Sequence, residues 1–138
     1  MDRAGLQAWV GLYERAWRTP GTELLDELFA PQAIYQTAPF EEPFQGLPAI
    51  AAMWEAEREG PQEVFAMDSE VVAVEGAVGV VRLEVRYGDP VRQRYRDLWV
   101  VRFDPQGRCV AFEEWPFWPP GARGGWIEGP REPSPQTP

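Results

Sequence analysis

The groups able to do chemistry in this 138-residue chain are few, because whole reagent classes are missing. All 13 basic residues are arginine, and there is no lysine and no histidine. Without lysine there is no Schiff base; without histidine there is no Ser-His or Cys-His nucleophile, no usual general base and no commonest zinc ligand. No metal site and no cofactor is read from the chain. Catalysis therefore falls to carboxylates, tyrosine, arginine, hydroxyls or backbone. One carboxylate stands out. In RYRDLWVVRF, Arg94 to Phe103, alternate side chains share a face, which sets Asp97 beside Tyr95, Trp99, Val101 and Phe103 while the arginines point the other way. A carboxylate among aromatics is costly unless it is partnered or used.

The elements around it follow from periodicity. Leu6, Trp9, Val10, Tyr13 and Trp17 recur at helical spacing from Asp2 to Arg18. A second helix is expected after Thr19, with Leu24, Leu25, Leu28 and Phe29 as its apolar face as far as Pro31, and a third from Pro48 to Gly60-Pro61 carrying Ile50, Met53 and Trp54. Ala33 to Thr37 reads as a short strand and Ala38 to Gly46 as a loop. After Pro61 the period becomes two, giving strands over Val64–Val74, Val81–Tyr87, Val91–Phe103 and Arg108–Trp118, with turns at Glu75-Gly76, Gly88-Asp89-Pro90 and Asp104-Pro105-Gln106-Gly107. Three helices before a four-stranded meander imply an α+β fold, with the helices packed on one face of a curved, mainly antiparallel sheet.

Length fits one domain over residues 1–118. The Pro/Gly-rich tail, 119–138, reads as disordered by composition unless Trp126 and Ile127 dock it. A lone cysteine, Cys109, excludes an intrachain disulfide and reads as a small packing residue near the arginine face. No signal-peptide pattern and no apolar run of ~18 residues is present, so a cytoplasmic protein without membrane attachment is expected. A net charge of −9 argues against nucleic acid as a partner.

The strings WVGLYERAW before LLDELFAPQAIY, then PFQGLPAIAAMW, then LWVVRFDPQGRCVAFEEWPFW resemble, in order and spacing, the SnoaL-like proteins of the nuclear transport factor 2-like superfamily. The resemblance spans roughly Trp9 to Trp118 and implies a cone-shaped roll around a pocket. It does not fix an activity, since these folds carry isomerases, dehydratases, epoxide hydrolases, cyclases and binders. Beside the steroid isomerases, themselves a standard example of pKa tuning, Tyr13 matches the oxyanion-hole tyrosine. Thr37 and Trp99, however, stand where the catalytic aspartates would be, and neither can replace them. The histidines of scytalone dehydratase-like enzymes are missing. In limonene epoxide hydrolase-like enzymes an arginine stands two residues before an aspartate; here Tyr95 precedes Asp97.

Parity and resemblance together place Tyr35 and Thr37 of the first strand, and Tyr95, Asp97 and Trp99 of the arginine-backed strand, toward the pocket. Phe112, Glu114 and Trp118 would face it from the last strand, Tyr13 and Trp9 from the first helix, and Trp54 from the third. Asp97 and Glu114 read as a general acid and base pair, with Tyr13 polarising a ligand oxygen. The plainer alternatives are a hydrated Asp97 at the rim, a core Tyr13, and tryptophans that fill the cone.

The chain thus reads as a SnoaL-like pocket protein for a small, largely apolar molecule. One class of function is a carboxylate-based lyase, isomerase or hydrolase of polyketide-like or terpenoid-like substrates. The other is a non-catalytic ligand-binding or dimeric interaction module. A homodimer through the outer sheet face is expected, with Glu84 and Glu113 opposite the arginines.

Overall fold

A computed structural model of the chain describes residues 1–58 and 64–120. The elements are α1 (Arg3–Arg18), α2 (Leu25–Leu28), β1 (Phe29–Gln36), β2 (Phe44–Gln45), α3 (Leu47–Glu57), β3 (Phe65–Glu75), β4 (Val78–Tyr87), β5 (Gln93–Phe103) and β6 (Cys109–Phe117). One mixed sheet runs in the order β2-β1-β6-β5-β4-β3, antiparallel except where β1 lies parallel to β6. Three helices packed on this sheet make the α+β architecture expected, with the meander of four strands in place. The reading of the tail, and that of Gly60-Pro61, lie outside the described residues.

Helix α1 opens on Asp2, whose Oδ1 accepts from the Gly5 amide at 2.7 Å. Its apolar stripe of Leu6, Trp9, Val10 and Tyr13 is buried. The helix comes so close to β4 that a Cβ on Gly79 would stand 2.5 Å from Leu6 Cδ2. Helix α3 ends earlier than Gly60-Pro61, at Glu57, and the Arg58 guanidinium binds the carbonyls of Ala16, Thr19 and Gly21 at 3.3, 2.6 and 2.7 Å. That fork ties the end of α3 to the end of α1.

Four local expectations change. The second helix shrinks to the single turn Leu25–Leu28, because Gly21 at φ 87° breaks the run and Phe29 already has extended backbone. A short apolar run fits helix or strand equally well, and here tertiary pairing decides: Phe29 joins β6 at Cys109. Pro31, expected to end a helix, instead sits in β1 where the pairing with β6 shifts register between Phe29 and Ile34, a place that tolerates a missing amide donor. The loop at 38–46 contains the two-residue strand β2, paired to β1 through Tyr35 and Phe44. Finally, a register shift between Arg102 and Phe103 turns Cys109 into the core, fully buried, and away from the arginine face.

Candidate functional site

The inner face of the sheet, helices α1 and α3 and the segment 37–44 line a cavity of about 790 Å³, within the range of sites that take drug-sized molecules. Its deep wall is the β5–β6 ladder. Trp99 lies directly opposite Glu114, and Asp97 opposite Pro116, so Asp97 and Glu114 are diagonal neighbours on the inner face. Both line the cavity. Asp97 is 3% exposed, the one buried charged residue in the described core, which removes the reading of a hydrated rim position.

The pair is asymmetric. Asp97 Oδ2 accepts from the Trp99 indole Nε1 at 3.1 Å, whereas Oδ1 is buried without a hydrogen-bond partner. Burial pushes the Asp97 carboxyl up, but the facing Glu114 carboxyl, the Trp99 indole and nearby backbone amides pull it back. Glu114 goes well above the usual carboxylate range, by burial first and then by the Asp97 carboxyl beside it. Both carboxyls are thus raised by burial and lie side by side, so the pair readily holds one proton between them: a donor and an acceptor in adjacent positions.

A second polar pair faces the same space. The Tyr13 and Tyr35 hydroxyls lie 2.5 Å apart, and both line the cavity. Burial, their largest influence, raises both well above the ordinary tyrosine value, so both keep their protons at neutral pH. One hydroxyl must then donate to the other, and the second proton stays available for a ligand oxygen. Tyr95, likewise raised by burial, lines the wall two residues before Asp97.

Tyr13, Tyr35, Thr37, Tyr95, Trp99 and Trp118 all line the cavity, along with the two carboxylates. Trp9, Trp54 and Phe112 do not: they belong to the packed core behind it. Trp9 donates from Nε1 to the Leu28 carbonyl at 3.1 Å and meets Phe29 and Phe103 edge-on. Phe112 stacks on Tyr35 and Tyr13, at centroid distances of 4.4 and 5.6 Å, and so backs the hydroxyl pair without facing it. Trp54 is fully buried against Tyr13 and Trp17, its indole nitrogen without a partner. Helical spacing for Trp9 and Trp54, like strand parity for Phe112, gives the side of a residue but not its depth, so these three face inward without lining the cavity.

Several lining residues escaped the sequence reading. Phe65 and Met67 of β3, Val85 and Tyr87 of β4, and Trp17 of α1 complete the apolar wall. The exposed acids Glu41, Glu42 and Glu57 stand at its mouth. The strand residues were legible from alternation once α1 was known to pack on β3. The acids were not, since the place of Glu41 and Glu42 depends on how the loop at 38–46 folds back along β1, and that of Glu57 on where α3 ends.

On the outer face the arginines meet acids of the same chain: Arg82 with Glu70 and Arg86 with Asp68 at 2.8 Å, and Glu84 between Arg86 and Arg96 at 3.2 and 3.5 Å. Among the described residues no helix is long and apolar enough to cross a membrane.

The fold places the chain among known structures. It superposes on a Sinorhizobium meliloti protein provisionally called a polyketide cyclase, at TM-score 0.61 and 24% identity over 78% of this chain and 93% of that one. A Methylobium petroleophilum protein of unknown function with a cystatin-like fold matches at TM-score 0.68 and 18% identity, over 97% of this chain and 99% of its own. An LEH-like epoxide hydrolase of Mycobacterium tuberculosis matches at TM-score 0.61 and 13% identity, over 82% and 83%. At such identities these likenesses show the fold alone. No match is found among curated proteins. Residues 10–112 match the SnoaL-like domain model, and the chain belongs to the SnoaL-like domain family.

Proposed function

We propose that the protein binds a small, largely apolar molecule in the cavity and moves protons on it, as a carboxylate-based lyase, isomerase or hydrolase. The observation that carries this reading is the adjacent, unequal carboxyl pair on the cavity wall. Glu114 is the general acid, Asp97 the general base, and the Tyr13–Tyr35 pair donates to a ligand oxygen as charge grows there. Polyketide-like and terpenoid-like molecules suit the aromatic walls, and the names carried by the structural neighbours, a polyketide cyclase and an epoxide hydrolase, point the same way. Steroid-isomerase chemistry in its usual form is disfavoured by Thr37 and Trp99, and the epoxide-hydrolase set by Tyr95 in place of arginine.

The test is turnover by mass spectrometry on a panel of cyclic enones, epoxides and β-hydroxy ketones. Asp97→Asn and Glu114→Gln are expected each to lower kcat on any converted compound by ~10²–10⁴-fold while ligand affinity is kept. Unchanged turnover in both variants overturns the acid-base reading and leaves a binding protein.

We further propose that the protein pairs with a second copy through the outer sheet face. Exposed Trp115, Phe117 and Ile34 on that face support this.

A further inference from the structure

An acid two residues before a tryptophan that bonds it occurs twice, in adjacent strands. On the outer face the Trp115 indole donates to Glu113 at 2.8 Å in an exposed bond. On the inner face the Trp99 indole donates to Asp97 Oδ2 at 3.1 Å, and both residues are buried. The setting decides what the bond does. An exposed carboxylate is served by water when a donor leaves, whereas a buried one depends on the donors the protein supplies. Around the inner carboxyl pair no cation takes that part. The titratable groups on the same wall are Tyr13 of α1, Tyr35 of β1, Glu57 at the end of α3, Tyr87 of β4 and Tyr95 of β5, with Glu41 and Glu42 in the segment 37–44. Among the described lining residues β3 brings none, and there is no arginine. The indole is also held still. Its ring packs against Tyr13, Phe112 and Trp9 at centroid distances of 4.5, 4.9 and 6.1 Å, and Trp99 lies directly opposite Glu114 in the β5–β6 register. An indole N–H can only donate, so it favours a carboxylate over a carboxylic acid.

We propose that Trp99 is a positioning residue: its fixed indole places the negative charge of the carboxyl pair on Asp97 and leaves the shared proton on Glu114. The proposal deepens the acid-base reading above, and only its use in catalysis rests on that reading. Of the two carboxyls, Asp97 is the one whose oxygen the indole bonds. The Glu114 carboxyl, carrying the shared proton, is then the neighbouring donor for the other Asp97 oxygen. Trp99 lowers Glu114 as well, but there burial and the Asp97 carboxyl outweigh it. The ring that binds Asp97 also packs under Tyr13, whose hydroxyl meets that of Tyr35, so one side chain holds both polar pairs of the cavity in register.

The test is a carboxyl-carbon NMR titration of the ligand-free protein, in which each side-chain carbon reports its own ionisation. Spectra of Asp97→Asn and Glu114→Gln assign the two signals. In the wild type the Asp97 carbon is expected to move in the first ionisation of the pair and the Glu114 carbon in the second. In Trp99→Phe the first step is expected roughly one pH unit or more higher, with both carbons moving together in both steps. A tryptophan that merely fills the core would alter stability and leave the order and position of the steps alone. Trp99→Phe opens a gap in a packed core; should it fail to fold, benzothienylalanine at position 99, which keeps both rings and puts sulfur in place of the N–H, carries the same readout. A Glu114 carbon that moves first in the wild type, or a first step unchanged without the N–H, overturns the role of Trp99. Turnover lost in Asp97→Asn and Glu114→Gln would even then uphold the acid-base reading. The expected titration beside unchanged turnover in those two variants would uphold Trp99 and remove the catalysis.

Discussion

Glu114 lies directly across from Trp99 and diagonally from Asp97, so strand register holds the two carboxyls together whatever the ligand does. That arrangement has a thermodynamic signature. A carboxyl held above its unfolded value takes up a proton on folding in the interval between the two values. Its contribution is complete below the unfolded value, about 4.3 for glutamate, and is lost as pH rises through the higher folded value. Glu114 and Asp97 are both raised, mainly by burial, so each makes the fold less stable from mildly acidic toward alkaline pH. Glu114→Gln keeps a neutral, hydrogen-bonding group of similar shape. It is expected to raise Tm by a few degrees at pH 8, to change it little at pH 4, and so to flatten the pH dependence read by calorimetry. An unaltered pH profile would mean that Glu114 is already ionised in the folded protein. In the proposed reaction the pair sets the rate profile: kcat/KM falls when both carboxyls are protonated and when both are ionised, so its bell should lie above the ordinary carboxylate range on both limbs.

At the scale of elements, α1 packs mainly on β3 and touches β4 at one close point. Gly79 is the contact point: Leu6, fully buried, has Cδ2, Cδ1 and Cγ at 2.5, 3.1 and 3.3 Å from where a Cβ would stand. A leucine so enclosed has no free rotamer, and Gly79→Ala is expected to cost ~1–3 kcal/mol by overpacking. Gly11, exposed on α1 with nothing near its Cβ position, is the matched control. Gly11→Ala should stabilise by ~0.5–1 kcal/mol through helix propensity. Urea denaturation of the two variants checks both signs, and a neutral Gly79→Ala would show that α1 can lift off the sheet at no cost. How much of this was legible in sequence differs by element. Alternation in β5 and β6 placed Asp97, Trp99 and Glu114 on one face correctly, since the tight turn after Phe103 leaves little freedom in their pairing. Alternation failed at Cys109, where a register shift inserts one residue and reverses the side. The apolar run Leu24 to Phe29 failed too: it satisfies a helix and a strand equally, and a partner strand eighty residues away decides. Trp9, Trp54 and Phe112 were given the correct direction but the wrong depth, because depth is set by how closely α1 and α3 approach the sheet.

At the scale of the whole molecule, the sheet has two faces with opposite solutions to burial. The inner face is covered by helices and cavity. The outer face leaves Trp115 38% and Phe117 62% exposed, with Ile34 at 39% on neighbouring β1. Aromatic side chains in such settings are the usual anchors of interfaces, each removal costing ~2 kcal/mol or more where they are central. The arginines between them argue for a specific partner surface. Arg82, Arg86 and Arg96 already have acids of their own chain, which lowers the cost of covering them, whereas Arg94 and Arg102 make no ion pair among the described residues. Across a twofold axis on this face, Glu113 of each copy is available to them, since its own chain engages it only through the Trp115 indole at 2.8 Å. Sedimentation velocity at micromolar concentration is therefore expected to show a dimer. Phe117→Glu sets a buried charge against its symmetry mate and should weaken association by about 30-fold or more, the equivalent of ~2 kcal/mol, with the monomer's thermal unfolding nearly unchanged because the residue packs against nothing in its own core. A wild-type protein that sediments as a monomer at micromolar concentration removes the outer face from the account and leaves the cavity as it stands.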